Sequence, residues 1–173
     1  LVGDLAGTAI TSGPNNTAFG FQAAKALTTG NGNVAVGYNS LKADTLGDRA
    51  VAIGLNALSS QNFTTSTDNY NIGIGYSAGA SVTTGIKNTF IGGRAGGANE
   101  TGTLNTALGH ESLLSNVSGN YNVALGAAAL DANVSGVGNV SIGYESLSSS
   151  TATQNTAVGF RAMLDNLSGG NNT

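Results

Sequence analysis

The sequence is a 17-residue repeat. Residues 16–27 read NTAFGFQAAKAL, and residues 33–44 read NVAVGYNSLKAD. One glycine in each copy serves here as position zero, and successive anchor glycines are 17 residues apart, except for one step of 21 and one of 16. A fixed short period is typical of solenoids, in which each repeat forms one coil stacked on the next. The anchors are Gly20, Gly37, Gly54, Gly75, Gly92, Gly109, Gly126, Gly143 and Gly159, and Gly3 extends the series backwards.

The residues around each anchor form columns of like type. Around the nine anchors from Gly20 to Gly159, position −3 is β-branched, position −2 is small except at Phe90, and position −1 is large and apolar, which predicts a short strand. The anchor glycine and a second glycine at +10 predict corners where a Cβ would oppose the backbone conformation. Asparagine at −4 predicts a ladder of side-chain amides bonded along the stack, with Ala50 as the exception. The ladder residues are Asn16, Asn33, Asn71, Asn88, Asn105, Asn122, Asn139 and Asn155.

These columns predict an all-β fold, a parallel β-solenoid of about ten 17-residue coils with two short strands per coil. A helical repeat is disfavoured because glycine costs about 1 kcal/mol at each helix-interior position. Small residues that recur in register predict a flat, closely approachable face. We expect that face to pack against other copies of the chain, most simply in a three-fold assembly.

The motif N-[TV]-A-[VIL]-G-x-x-[AS]-L resembles the head repeats of YadA-type trimeric autotransporter adhesins and related repeats of bacteriophage and bacterial surface fibres. The likeness covers nearly the whole chain and depends on the asparagine at −4, the anchor glycine and the small residue at +3. The resemblance implies a left-handed parallel β-roll that forms a homotrimer. It also implies an extracellular, cell-surface or virion-fibre location.

Residues 1–173 form a single repetitive segment. Asn172 and Thr173 occupy positions −4 and −3 of a new coil, and Leu1, Val2 and Gly3 occupy positions −2, −1 and zero. The two ends are therefore in phase with each other. We expect the segment to be one unit of a longer tandem array, or to meet another copy end to end in a filament.

Composition narrows the possible functions. The net charge of −3, with only 9 % charged residues, gives no electrostatic footprint for nucleic acid, and the chain has no apolar run long enough for membrane insertion. There is no cysteine, His110 is the only histidine, and the nine acidic residues are scattered. These features predict no metal site, no cofactor and no catalytic constellation. We expect a non-enzymatic protein.

Two features suggest a ligand, a host glycan or a surface receptor. Four residues are inserted after Leu58, and the resulting segment 59–70 contains Phe63, Asp68 and Tyr70, which would suit sugar stacking. Position +1 carries aromatic residues on several coils, including Tyr38, Tyr76 and Tyr144, which could form a strip for stacking of carbohydrate. The alternatives are a solvated loop without a special role, and a column that serves packing or an interface.

Asparagine also occurs in N-x-[ST] sequons at a shared position, +7. If any sequon is glycosylated, we expect Asn116, Asn133 and Asn166, which would stack along one exposed corner.

The leading functional hypothesis is a structural and adhesive rod of a surface adhesin or extracellular filament. The first alternative is a receptor- or glycan-binding module of a bacteriophage tail fibre. The second is an ice-binding solenoid, which is disfavoured because the −3 column mixes threonine with valine and isoleucine.

Overall fold

The computed structural model describes residues 2–173, and within this range the chain is an all-β parallel solenoid without a helix. Leu1, to which the sequence assigned position −2, lies outside the described residues. Each coil contributes one three-residue strand to a parallel sheet of nine strands, counted over residues 2–173. The strands of this large sheet are β1 (Thr17–Phe19), β2 (Val34–Val36), β4 (Val51–Ile53), β6 (Ile72–Ile74), β7 (Thr89–Ile91), β8 (Thr106–Leu108), β9 (Val123–Leu125), β10 (Val140–Ile142) and β11 (Thr156–Val158).

Successive coils stack in register. Thr17 pairs with Val34, and Val34 pairs with Val51, so each residue lies beside the residue of equal phase in the next coil. The 21-residue step keeps this register, because Val51 of β4 pairs with Ile72 of β6 across the insertion. An isolated bridge between Val2 and Phe19 continues the pattern beyond β1. The predicted parallel β-solenoid is therefore confirmed.

The prediction of two strands per coil is wrong. In the described part of the chain, a second sheet forms only between β3 (Gly47–Asp48) and β5 (Thr67–Asp68). Elsewhere the chain between large-sheet strands consists of turns whose backbone N–H groups bond carbonyls of neighbouring coils. The cause is local: positions such as Gln22 and Ala24 have φ of 56° and 49°, and left-handed residues interrupt an extended run.

Small side chains fill the interior of the coil. Alanine at −2, alanine or serine at +3 and leucine at +4 are buried, as at Ala35, Ala57 and Leu58. The large residues at −3 and −1 of each strand point outward, since successive side chains alternate across a strand. The prediction that the small residues form an outer face is therefore wrong. A narrow coil has room inside only for alanine beside its leucine.

The two recurring glycines are required for different reasons. At the anchor Gly37, φ is +131°, and an added Cβ would lie 2.6 Å from the carbonyl oxygen of Gly54. At the second position, Gly102 is not among the residues with positive φ, but an added Cβ would lie 2.5 Å from the carbonyl oxygen of Gly119. The +10 glycine is therefore required because the backbones of successive coils approach closely. The prediction that it adopts a backbone conformation unfavourable for residues with a Cβ is wrong.

Phe90, the aromatic exception at position −2, is accommodated because neighbouring +4 positions lose their side chains. Phe90 is fully buried where the other coils place a small residue. Position +4 is glycine in its own coil and in the preceding one, at Gly96 and Gly79, where most coils have leucine. An added Cβ would lie 2.5 Å from the Phe90 ring at Gly96 and 2.9 Å from it at Gly79. The benzyl group therefore occupies the space that leucine side chains fill elsewhere.

This exchange predicts a rescue. Phe90→Ala should lower the free energy of unfolding by about 3–5 kcal/mol because it leaves a cavity. Adding Gly96→Leu should restore a large part of that loss, since Gly96 has φ of 58° and Leu113 holds the same position at 53°. Chemical denaturation of the two single variants and the double variant measures the coupling. Equal destabilisation by Gly96→Leu in both backgrounds would contradict the exchange.

Candidate functional site

The asparagine column at −4 lies inside the coil and bonds the backbone of the next coil. The side-chain oxygen of Asn105 accepts the backbone N–H of Asn122 at 3.0 Å, and its Nδ2 donates to the carbonyl oxygen of Gly119 at 2.8 Å. Asn88 makes the equivalent bonds to Asn105 and Gly102. Most bonds of the column therefore join side chain to backbone, whereas the sequence suggested amide bonding to amide. The members are Asn16, Asn33, Asn71, Asn88, Asn105, Asn122, Asn139 and Asn155.

The insertion repairs this column where it is interrupted. Ala50 has no amide to offer to the backbone N–H of Asn71 in the following coil. The side chain of Asn69 accepts that N–H at 2.9 Å and donates to the carbonyl oxygen of Asp48 at 2.6 Å. Asn69 is fully buried. The missing asparagine and the four extra residues are thus two parts of one structural change.

The insertion is built largely into the solenoid. Phe63 is only 6 % exposed, so it cannot present its ring to a sugar, and its proposed role in stacking is wrong. Asp68 is exposed and forms an ion pair with Arg49, whose guanidinium also lies over the ring of Tyr70 at 5.6 Å from the centroid. Asp48 accepts hydrogen bonds from the backbone N–H of Asn31 and the hydroxyl of Ser66. Asp68 and Tyr70 therefore remain accessible, but Arg49 already contacts both.

The +7 column is a second interior amide ladder. Asn133 donates to Asn116, and Asn116 donates to Asn99, at 2.8 and 2.7 Å. Asn116 and Asn133 are fully buried, so the prediction that they stack along an exposed corner is wrong and their amides are not accessible to a glycosyltransferase. Asn166 belongs to the same column and is partly exposed. Leu27 and Val82 occupy this position in other coils, which fits an interior column.

Asp44 is the one buried carboxylate of the +7 column. It accepts hydrogen bonds from Nε2 of Gln61 at 2.6 Å and from the backbone N–H groups of Gly47 and Phe63. Burial raises the pKa of Asp44, and the hydrogen bonds lower it by less. The carboxylate ends a polar chain in which Nδ2 of Asn71 donates to Oε1 of Gln61.

The aromatic residues at +1 lie along an exposed corner. Phe21 and Tyr38 stack with ring centroids 5.2 Å apart and planes 14° apart, and Tyr144 and Phe160 stack at 5.5 Å. Each ring therefore covers one face of its partner, which leaves a ligand only the outer face and the edge of each ring. The hydroxyl of Tyr144 bonds the Glu145 carboxylate, which raises the pKa of Tyr144 and lowers that of Glu145.

Tyr76 has a different environment in the same column. It is 58 % exposed, and the next coil has Gly93 at position +1. His110 follows one coil later and is also exposed. The column is therefore interrupted between Tyr76 and His110.

The outward side chains of the large sheet form a flat apolar surface, here called the strand face. It consists of positions −3 and −1 of β1, β2, β4 and β6–β11, and its only polar members are the threonines Thr17, Thr89, Thr106 and Thr156. Nine strands at about 4.8 Å spacing give it a length of about 40 Å. Phe19, Leu108 and Val158 are prominent exposed members. Monomeric soluble proteins rarely expose a contiguous apolar surface of this extent, and such surfaces usually mark interaction sites.

A metal-ligating cluster and a membrane-spanning helix are both absent from residues 2–173. No group of three histidine, cysteine, aspartate or glutamate residues in that range is arranged to hold a metal ion. The same part of the chain contains no helix that is long and apolar enough to cross a bilayer. Comparison with protein-family models, curated proteins and solved structures finds no match.

The repair of the −4 column predicts the outcome of a double substitution. Asn69→Ala should lower the free energy of unfolding by about 1–3 kcal/mol because the buried N–H of Asn71 loses its partner, whereas the Asp48 carbonyl keeps the backbone N–H of residue 69. Ala50→Asn should recover much of the loss in that background by restoring the regular asparagine. Denaturation of the native chain, both single variants and the double variant tests this. Additive effects of the two substitutions would refute the repair.

The buried carboxylate predicts a pH effect. Because the folded state raises the pKa of Asp44, the folded chain binds that proton more tightly than the unfolded chain. The stability of the native chain relative to Asp44→Asn should therefore improve as pH falls from about 7 towards the unfolded aspartate pKa of about 3.9. Urea denaturation of both proteins across this range measures the difference. A constant difference, or a change that favours Asp44→Asn at low pH, would contradict this expectation.

Proposed function

We propose that this chain is a non-enzymatic segment of an extracellular fibre, in which three copies pack their strand faces around a common axis. The supporting observation is the long, flat and almost wholly apolar strand face of a chain whose interior is already filled. Three chains that direct one such face inward would remove it from water and form a closed assembly. The rod would belong to a surface adhesin, an extracellular filament or a bacteriophage tail fibre.

The repeat motif supports the same proposal. Its resemblance to adhesin heads and surface-fibre repeats implies a trimeric, left-handed β-roll. Backbone hydrogen bonds and buried amide columns join each coil to the next, which suits a stiff, protease-resistant rod. The ice-binding alternative receives less support, because threonine alternates irregularly with apolar residues on the strand face.

A matched pair of substitutions tests the trimer. Leu108 and Leu104 lie in the same coil and are 46 % and 44 % exposed, but only Leu108 belongs to the strand face. Sedimentation equilibrium of the native chain should give three times the mass of the 17.0 kDa chain. Leu108→Asp should shift the protein towards monomer, because it places three carboxylates together at an apolar axis.

The control is Leu104→Asp, which should leave the assembled mass unchanged. A monomeric native chain would overturn the trimer, and a dimer would replace it with a two-fold assembly. Equal dissociation by both variants would show that the strand face is not the interface.

A further inference from the structure

The interruption of the aromatic column at Gly93 creates a space one ring thick. Where two adjacent coils both carry a ring in this column, the rings stack at 5.2 and 5.5 Å. Within the coils of the large sheet, the other members without a ring, Leu55 and Ala127, still carry a side chain. Tyr76 and His110 lie two coils apart, which is about 9.5 Å along the stack. Gly93 contributes no side chain between them. One ring can therefore enter where the repeat leaves one out.

The walls and floor of this space are defined by the structure. An added Cβ at Gly93 would lie 3.3 Å from Cδ2 of His110, so the imidazole edge lies over the Gly93 backbone and forms the floor. The backbone N–H groups of Arg94 and Glu111 bond the carbonyls of Tyr76 and Gly93 at 2.7 and 2.9 Å, which fixes the three coils relative to one another. The aromatic wall is Tyr76, and its face towards Gly93 is not covered by a ring at +1.

Polar groups surround the opening. Arg94 forms an ion pair with Glu111, and both side chains are partly exposed, so the pair offers donors and acceptors while carrying no net charge. The space adjoins a surface groove of about 400 Å³, which is lined by Ser77, Arg94, Gly97, Leu114 and the serines Ser81 and Ser115. Gly97 contributes no side chain to the groove, whereas the same position, +5, carries a larger residue in the other coils.

We propose that the space between Tyr76 and His110 is a binding site for one neutral hexopyranose ring of a glycan, here called the Gly93 slot. The apolar C–H face of a pyranose packs on an aromatic ring, and its hydroxyls match the Arg94–Glu111 pair and the groove serines. The balanced ion pair favours a neutral sugar over an acidic one, and an aromatic hydrocarbon ring would make no hydrogen bond to these polar groups. The slot adds a ligand to the proposed rod and does not depend on the trimer.

Filling the slot provides the sharpest test. Gly93 is not among the positive-φ residues, and the same position carries tyrosine at Tyr76 and Tyr144, so Gly93→Tyr should fold. The matched control is Ala127→Tyr, which adds the same side chain in the same column beyond His110. Tyr76→Ala removes the wall as a second variant. Each variant is checked by circular dichroism and by its sedimentation mass against the native chain.

The probes are the methyl glycosides of glucose, galactose and mannose, with methyl glucuronide as the acidic comparison, observed by saturation-transfer NMR. At least one neutral glycoside should bind, with about tenfold weaker binding to Gly93→Tyr and to Tyr76→Ala and unchanged binding to Ala127→Tyr. No neutral glycoside binding to the native chain would overturn the proposal. So would binding that survives Gly93→Tyr, binding lost equally in Ala127→Tyr, or binding restricted to the glucuronide. Since sedimentation is scored separately, failure of the slot is distinguishable from failure of the trimer.

Discussion

The structure depends on in-register stacking, in which each coil lies directly on the next with like residues in contact. Short strands alone would give a weak ladder, since each has only three residues. The asparagines at −4 add a bond to the backbone N–H and a bond to a glycine carbonyl in the following coil. These bonds satisfy backbone groups in the interior, where an unpaired group would cost about 1–3 kcal/mol. Stacking therefore supplies both the hydrogen bonds and the buried apolar contacts of the fold.

Much of this architecture could be predicted because the period and the residue columns are regular. The parallel solenoid follows from the anchor glycines. Which side chains of each strand face the interior was harder to predict, because a large-small-large pattern allows either the large or the small side chains to point inward. The side-chain sizes in the nine strands of the large sheet contained a clue: position −1 varies freely among phenylalanine, valine, isoleucine and leucine, whereas position −2 departs from small residues only at Phe90, where glycine replaces leucine at Gly79 and Gly96. A position whose side-chain volume is nearly constant, or is balanced by a neighbouring position, therefore lies in the interior.

The candidate sites were less predictable because burial decides them. The sequons at Asn116 and Asn133 share their column with Leu27 and Val82, and these apolar members were the available signal that the position is internal. The insertion suggested a projecting loop, but Asn69 shows that it replaces the amide missing at Ala50. Stacked ring pairs likewise turn most of the aromatic column into a structural feature. The accessible exceptions are the Gly93 slot and the pair Asp68 and Tyr70.

The central claim is that residues of equal phase lie on a common line with constant spacing, and distances between spin labels test it most directly. The chain has no cysteine, so pairs can be introduced at the exposed +9 positions Ser12, Thr101, Ser118 and Ser168, diluted with unlabelled chain. Labels at Ser12 paired with Thr101, Ser118 and Ser168 span five, six and nine coils. Pulsed EPR should give distances near 24, 29 and 43 Å, that is about 4.8 Å per coil. Distances that do not increase linearly with the number of coils would contradict the stacked solenoid.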